Sequence, residues 1–330
     1  MNRTACYRSA HVPAKALPAT STAPGDNRDP FLAPERGPCR AARRPGLRRP
    51  HVRRQHRIDT DYRNLGRGAA QGGRVELNAA GKTDSGGFVA GRASYLAKKD
   101  GNAGIDDMWV QFGNASGDIK LGRFEAADLF VVGKDTVVED DGVSGFRNTL
   151  RGRFGNNGTY GEGIAHGALT LNAAPGLSIE LGIVSSRKNT GVRPVVTYTA
   201  GDFTIRAGLE SGKTPDGSKI SGGGITVGTA VAGGAVNVSF GSGKVAGLKG
   251  SSFGVNATFG PAGIGFIHDR NDLAGNGGTR KENNVYVAYS LPLFNTGATI
   301  TPAIAYSKAS GPGTDSNAPV TARLRVNYAF

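Results

Sequence analysis

The last eleven residues, Val320–Phe330, constrain the fold of this chain more than any other stretch. Arg323 and Arg325 lie between apolar residues, so charge and apolarity alternate along the segment. The apolar set is Val320, Ala322, Leu324, Val326, Tyr328 and Phe330. Because successive side chains of a strand point to opposite faces, this pattern predicts a strand with one apolar and one charged face. An apolar outside and a charged inside are typical of a membrane barrel whose lumen holds water.

The same segment ends on an aromatic pair, Tyr328 and Phe330. In this it resembles the general diffusion porins of the Gram-negative outer membrane, whose closing strand ends in an aromatic residue that the barrel-assembly machinery reads. The resemblance implies that Tyr328 and Phe330 form the assembly signal of a barrel surrounded by outer-membrane lipid. Porins of this family are trimers, so it also implies a homotrimer.

Composition agrees with one large barrel better than with soluble domains. The chain has 330 residues, 52 of them Gly, and a hydrophobic fraction of 38%. No run of about 18 apolar residues occurs, which excludes a membrane-spanning helix. A barrel strand needs only about 9 to 11 residues with every second one apolar.

The first fifth of the chain differs from the rest. Met1–Gly68 contains fourteen Arg and one Lys against five acids, together with half of the 16 prolines. It shows neither helical nor strand periodicity and lacks the basic start, apolar run and cleavage site of a secretory signal. It is either a basic arm for a polyanion or a segment that is not native sequence. We interpret residues 1–71 as a disordered or non-native segment and expect no nucleic-acid partner. Its residues from Met1 to about Gly68 are predicted to be dispensable in the mature protein or absent from it.

From residue 72 to residue 330 the chain consists of short alternating segments separated by Gly, Asn, Asp and Pro clusters. This predicts an all-β, antiparallel, up-and-down transmembrane barrel. The sixteen predicted strands are Gly73–Ala80, Gly87–Ala97, Ile105–Gly113, Asp118–Phe124, Gly145–Phe154, Ile164–Asn172, Leu177–Ser185, Val192–Thr199, Phe203–Ser211, Gly222–Val231, Ala235–Gly241, Ser252–Gly260, Gly263–Asp269, Asn284–Leu293, Ala298–Ser307 and Val320–Phe330. The alternation slips between Phe124 and Ile164, so either one of the predicted strands there is wrong or a further strand lies in Leu129–Val138. Together with a strand lost from the N-terminal segment, the second option would give eighteen.

Short turns alternate with long polar loops such as Arg270–Glu282, Gly241–Gly250 and Ala309–Ala318. Outer-membrane barrels have short periplasmic turns and long external loops, whereas a soluble sandwich has no reason to segregate its loops by length.

The resemblance to porins extends to Gly117–Phe124, which is similar to the strand leading into the loop that folds back inside the barrel. The connection after it, Glu125–Ser144, carries Glu139, Asp140 and Asp141. The following segment places Arg147, Arg151 and Arg153 on one face, and three arginines cannot point into hydrocarbon. The resemblance implies that these six residues form the pore constriction. The alternative is a solvated loop beside a strand whose arginines pair with wall carboxylates.

Strand parity predicts further charges on the lumen face. These are Arg92, Asp107, Lys120, Arg206, Arg323 and Arg325, together with Glu180, Arg193 and Glu210. Basic residues outnumber acidic ones, which predicts a weak preference for anions.

The function that follows is a passive, water-filled channel for small hydrophilic solutes and ions, with no enzymatic activity, cofactor or metal. A channel specific for sugars or organic anions is an alternative, but only Trp109 and Tyr286 are predicted to face inward as an aromatic path. A barrel anchor or an outer-membrane hydrolase is an alternative of another class. His166 could serve a hydrolase, but no nucleophile motif occurs near it.

Overall fold

The computed structural model describes residues 51–63, 68–98, 101–124, 127–134, 165–185, 190–213, 217–275, 277–314 and 319–329. No helix in this part of the chain is long and apolar enough to cross a membrane. The strands are β1 His51–Arg63, β2 Gly68–Lys82, β3 Phe88–Ala97, β4 Ala103–Asn114, β5 Gly117–Arg123, β6 Ala165–Ala174, β7 Leu177–Ser185, β8 Thr190–Ala200, β9 Phe203–Lys213, β10 Lys219–Val231, β11 Gly234–Val245, β12 Leu248–Phe259, β13 Ala262–Asp272, β14 Thr279–Tyr289, β15 Leu291–Leu293, β16 Ala298–Ser310 and β17 Val320–Ala329.

These strands form one closed, antiparallel sheet. Each strand pairs with its neighbours in sequence, and β1 pairs with both β2 and β17. β14 and β15 are separated only by Ser290 and both pair with β16, so together they form one wall strand. The wall therefore has sixteen strands, as predicted, and the alternative of eighteen is wrong.

The two faces of the sheet alternate as the sequence predicts. Large apolar side chains are exposed on the outside, among them Met108, Val110, Ile179, Phe203 and Phe253. Polar and charged side chains are buried on the inside. This is the reverse of a soluble protein and suits a wall with lipid outside and water inside.

The two ends of the barrel differ in the length of their connections. At one end, two-residue turns join five successive strand pairs, at 115–116, 175–176, 201–202, 232–233 and 260–261. The opposite end carries the longer connections, such as 124–164, 273–278 and 311–319. The loop expected at Gly241–Gly250 is wrong. There β11 and β12 continue to a tight turn at Ala246 and Gly247, which both have positive φ as a two-residue type I′ hairpin turn requires.

The predicted start of the barrel at residue 72 is also wrong, because β1 and the beginning of β2 precede it. The arginines of His51–Arg63 interrupt its apolar row, so its local sequence predicts an irregular segment rather than a strand. Its inward carboxylates, Asp59 and Asp61, pair with arginines of β17 about 260 residues later, a partnership that local composition cannot show. The expectation for Met1–Pro50 lies outside the described residues and stays a prediction.

β5 pairs directly with β6, so no other strand lies between them in the wall. The predicted strand Gly145–Phe154 falls in the 124–164 connection, outside the described residues. The sixteen described wall strands instead include β1, which the sequence does not indicate.

The position of β1 predicts how far the chain can be shortened. We expect a chain beginning at His51 to refold into the barrel in detergent, and a chain beginning at Gly72 to fail. Removing β1 leaves β2 and β17 with unpaired backbone groups, each costing several kcal/mol in hydrocarbon. The fraction of compact, heat-modifiable protein on a semi-native gel measures this, with the full chain as control. Equal folding of both shortened chains would contradict the assignment of β1 to the wall.

Candidate pore interior

Two arginines of β17 form ion pairs across the seam that closes the barrel. Arg323 donates to both oxygens of Asp61, from Nε at 2.6 Å and from Nη2 at 2.8 Å. Arg325 binds Asp59 in the same two-pronged way, at 2.6 and 3.1 Å. The strand register sets these residues directly opposite each other. Paired donors and acceptors of this planar geometry are among the stronger charge-assisted hydrogen bonds.

A second group of charges continues inside β2, β3 and β4. Arg74 lies 3.2 Å from Glu76 and 3.0 Å from Asp106. Arg92 lies 3.4 Å from both Glu76 and Asp107. Neighbouring residues 106 and 107 are both buried because they form a bulge in β4 opposite Ser94 of β3, where the register shifts.

Ion pairs balance much of the charge on this part of the wall. Counting Arg57, which lies 3.2 Å from Asp59, five arginines pair with five carboxylates from β17 to β4. Arg53 lines the same cavity as Arg57 and is not among these pairs. Sequence parity found Arg92, Asp107, Arg323 and Arg325. It missed Asp59 and Asp61, because the segment holding them was excluded from the barrel, and it missed Glu76 and Asp106.

A segment of the 124–164 connection, Ala127–Lys134, runs inside the barrel along β7 to β14. Its backbone bonds to one wall strand after another. Ala127 N donates to Glu180 Oε1 at 3.1 Å, and Val131 N donates to Thr226 Oγ1 at 3.2 Å. Val131 O accepts from Asn256 Nδ2 at 2.8 Å. This inner segment is the inward-folded loop that the sequence predicts.

Apolar packing holds the middle of the inner segment. Leu129 and Phe130 are fully buried, and Phe130 and Val132 pack with Ile267 and Tyr286. Tyr286 Oη also donates to Val132 O at 2.6 Å. Glycines in the wall make room: a Cβ at position 254 would lie 2.8 Å from the Phe130 ring, and one at position 224 would lie 3.0 Å from Leu129 Cβ. Strand glycines at these positions therefore allow the close approach of another chain segment.

The first part of the inner segment contacts inward charges of β8 and β9. Arg193 lies 3.4 Å from Glu210 and donates a hydrogen bond to Ala127 O. Arg206 donates from Nη1 to Asp128 O at 3.2 Å. The predicted lumen residues Arg193, Arg206 and Glu180 thus serve to anchor the inner segment.

Trp109 lies inside the wall and is nearly covered by cations. Lys120 Nζ is 3.9 Å from the centre of its ring, and Arg92 is 5.6 Å away. Only 6% of the residue is exposed, because Ala80, Ala90, Phe124 and Ala168 also pack around it. The contacts with the cations are favourable because the ring face carries partial negative charge.

His166 is held in the wall by Phe124. Its ring stacks on Phe124 at 3.8 Å, and Nδ1 lies 3.1 Å from Phe124 O. Among the described residues, no cluster of three His, Cys, Asp or Glu could hold a metal.

The inner segment leaves open space on both sides toward the short-turn end. One cavity of about 780 Å³ lies beneath Ala127, lined by Thr170, Glu180, Thr197 and Arg206 among others. Another of about 460 Å³ is lined by Arg57, Arg74, Glu76, Arg325 and Lys134. Burial lowers the pKa of the Lys134 amine. Both cavities have polar walls, which suits passage of water and ions.

The structure leaves several predicted site residues undescribed. Arg147, Arg151, Arg153, Glu139, Asp140 and Asp141 lie outside the described residues, as does Phe330. Tyr328, 39% exposed, is on the outer face.

The hydrogen bonds of the inner segment predict its effect on the current. We expect the double variant Asn256→Ala, Tyr286→Phe to show more frequent partial closures in single-channel recordings. Each lost bond removes about 0.5 to 1.5 kcal/mol of anchoring, so the segment leaves the wall more often. Thr204→Ala is the control, since its hydroxyl interacts with Thr199 Oγ1 and shares no described hydrogen bond with the inner segment. If the double variant shows partial closures no more often than the unaltered channel, other contacts suffice to hold the segment against the wall.

Comparisons with known proteins agree with this architecture. Residues 64–164 match a family model described as porin-like glycoporin RafY. No curated protein sequence matches the chain. Among solved structures, the anion-selective porin from Comamonas acidovorans superposes with a TM-score of 0.64 at 13% identity, covering 86% of this chain and 100% of that one.

Two further solved structures have the same fold. OmpT of Vibrio cholerae, an outer membrane protein in trimer form, gives a TM-score of 0.65 at 12% identity over 85% of this chain and 99% of that one. A mutant of the Rh. blastica porin gives 0.56 at 14% identity over 85% and 100%. At such identities the likeness concerns the fold. The family match covers residues 64–164 only, so what the comparisons show for the whole chain is a β-barrel of the porin fold.

Proposed function

We propose that this chain is a Gram-negative outer-membrane porin, a passive diffusion channel for small hydrophilic solutes and ions, with no enzymatic activity and a weak preference for anions. The observation that carries the proposal is the lumen itself: a closed wall lined with charged and polar side chains, in which the inner segment narrows the passage and polar cavities remain beside it. A permanent, polar opening passes solutes by size and charge.

The weakness of the preference follows from the charge balance. The five arginines and five carboxylates from β17 to β4 cancel in pairs, so their net effect on a passing ion is small. Lys134 and Arg206 form no ion pair with a described carboxylate, which tips the balance toward anions. The solved Comamonas acidovorans porin of the same fold is named anion-selective.

We infer that the six predicted constriction residues add to this field. Arg147, Arg151 and Arg153 belong to the same 124–164 connection whose described part lies inside the lumen. Opposing Glu139, Asp140 and Asp141 there, they would act at distances below the Debye length of about 8 to 10 Å, where salt screens little.

A sugar channel is the second candidate. The matching family model is described as a glycoporin, and Trp109 lies in the wall. Cations cover much of the Trp109 ring, however, and a stack of several aromatics along the described lumen is lacking. Liposome swelling separates the candidates: a sugar channel would admit an oligosaccharide faster than a smaller hydrophilic solute, and Trp109→Ala would abolish the difference.

We further propose a homotrimer, as the solved Vibrio cholerae OmpT exists in trimer form. Light scattering of the detergent-solubilised protein, corrected for bound detergent, measures this.

Reversal potentials in a KCl gradient test the anion preference. Replacing Arg147, Arg151 and Arg153 with Ala should shift selectivity toward cations, because it leaves the three loop carboxylates unopposed. Arg54→Ala, on the outer face of β1, is a control that removes a charge outside the lumen. An unchanged potential in the triple variant would place the three arginines away from the narrow section.

The terminal aromatic predicts an effect on assembly alone. Phe330 continues the outward apolar row of Leu324 and Tyr328, where the assembly machinery can read it. Deleting Phe330 should lower the folded fraction in outer membranes and leave single-channel conductance unchanged. If the variant lacking Phe330 assembles normally, Phe330 is not part of an assembly signal.

A further inference from the structure

Seven basic side chains lie on the outer face of the barrel, at the end that carries the long connections. Each belongs to a strand between β9 and β16, is exposed, and has the parity of the outward apolar row of its own strand. They are Lys213, Lys219, Lys244, Lys249, Arg270, Lys281 and Lys308. We call this set the basic belt.

The belt lies above a regular sequence of layers. On β11, outward Phe240 is followed by Ser242 and then Lys244; on β12, the same order in reverse is Lys249, Ser251, Phe253. β13 and β14 repeat it, with His268 and Asn283 as the middle layer. Successive outward residues are about 6.6 Å apart along a strand. The cations thus begin roughly two such steps beyond the apolar band, where lipid headgroups lie.

The register places like charges directly opposite each other. Lys213 faces Lys219, Lys244 faces Lys249, and Arg270 faces Lys281. Like charges in such positions destabilise a sheet unless an anion lies between them. None of the seven forms an ion pair with another described residue. The described carboxylate on this face, Asp272, lies beyond Arg270 and accepts a hydrogen bond from Thr279.

The belt covers only one side of the barrel. At the same end, the outward residues of β17 and of β1 to β8 are uncharged, for example Tyr62, Tyr95, Ile105 and Val192. Arg123 is the exception among the described residues, and its guanidinium donates to the carbonyls of Ile105 and Asp106. Among the described residues, the cations of the belt therefore lie on the β9–β16 side alone. In the proposed homotrimer the uncharged side can contact another subunit, which leaves the β9–β16 side to contact lipid.

We propose that the basic belt binds the headgroup phosphates of an outer-leaflet lipid that carries two or more phosphates, a phosphorylated glycolipid. The apolar rows below the belt would accept its acyl chains, which a soluble anion lacks. Neighbouring strands lie about 4.8 Å apart, so paired cations such as Lys244 and Lys249 can contact one phosphate while the next pair contacts another. A lipid with several phosphates can therefore bind several pairs at once.

The test uses the full chain refolded in detergent and diphosphoryl lipid A as the probe, with bound lipid counted by native mass spectrometry. Each cation near an anionic lipid surface is worth roughly fivefold in affinity, so the variant Lys244→Gln, Lys249→Gln should bind about 25-fold more weakly. The matched control, Arg54→Gln with Lys98→Gln, removes two exposed charges outside the belt and should bind as the unaltered chain does. Lys281→Gln, Lys308→Gln repeats the test at the other end of the belt, should the first pair impair folding.

Three results would overturn the proposal. Unchanged affinity in both belt variants would show that the cations do not contact the lipid. Equal binding of lipid A stripped of its phosphates would show that acyl chains alone are recognised. Binding of phosphatidylglycerol as tight as that of the probe would refute a preference for several phosphates. Single-channel conductance in phosphatidylcholine bilayers should stay unchanged in every variant, so the lipid site and the channel function are judged separately.

Discussion

The structure depends on one constraint, that backbone N–H and C=O groups within hydrocarbon are paired inside the protein. An open sheet of sixteen strands would leave two unpaired edges in lipid. The pairing of β1 with both β2 and β17 removes them. Because the closing strand comes from the end of the chain, the ladder at the seam joins segments about 260 residues apart, and closure is the event that makes every other wall strand stable in the membrane.

The ion pairs at the seam set its register more than they add to its stability. Partly buried ion pairs lose much of their attraction to desolvation. A slip of one residue between β1 and β17, however, would turn every inward side chain outward. Asp59 and Asp61 would then face lipid, and Arg323 and Arg325 would lose their partners. The charges thus specify one alignment at the junction where the sequence distance is greatest.

Period-two alternation predicted the wall because one face contacts lipid and the other contacts water. β7 was predicted at its exact bounds, and most other strands to within a few residues. The alternation pattern did not predict the structure of segments whose contacts are with residues far away in the sequence. In β1, outward Arg54 and His56 obscure the apolar row, and the inward acids find their partners at the opposite end of the chain. The apolar run from Leu129 to Val132 resembles part of a strand but packs against glycines of other strands, which local sequence does not reveal.

Basic residues have different surroundings on the inner and the outer face of the wall. A lumen arginine such as Arg325 is held by a carboxylate of the neighbouring strand, so its charge is balanced within the chain. An outer cation such as Lys244 faces another lysine across the ladder and forms no ion pair with a described residue, so the proposed lipid phosphates would supply its counter-charge. Parity alone decides between these cases, because a single position along a strand separates a group facing the pore from one facing the membrane. The distribution of basic residues by face therefore reports on two different environments, the solute path and the surrounding lipid.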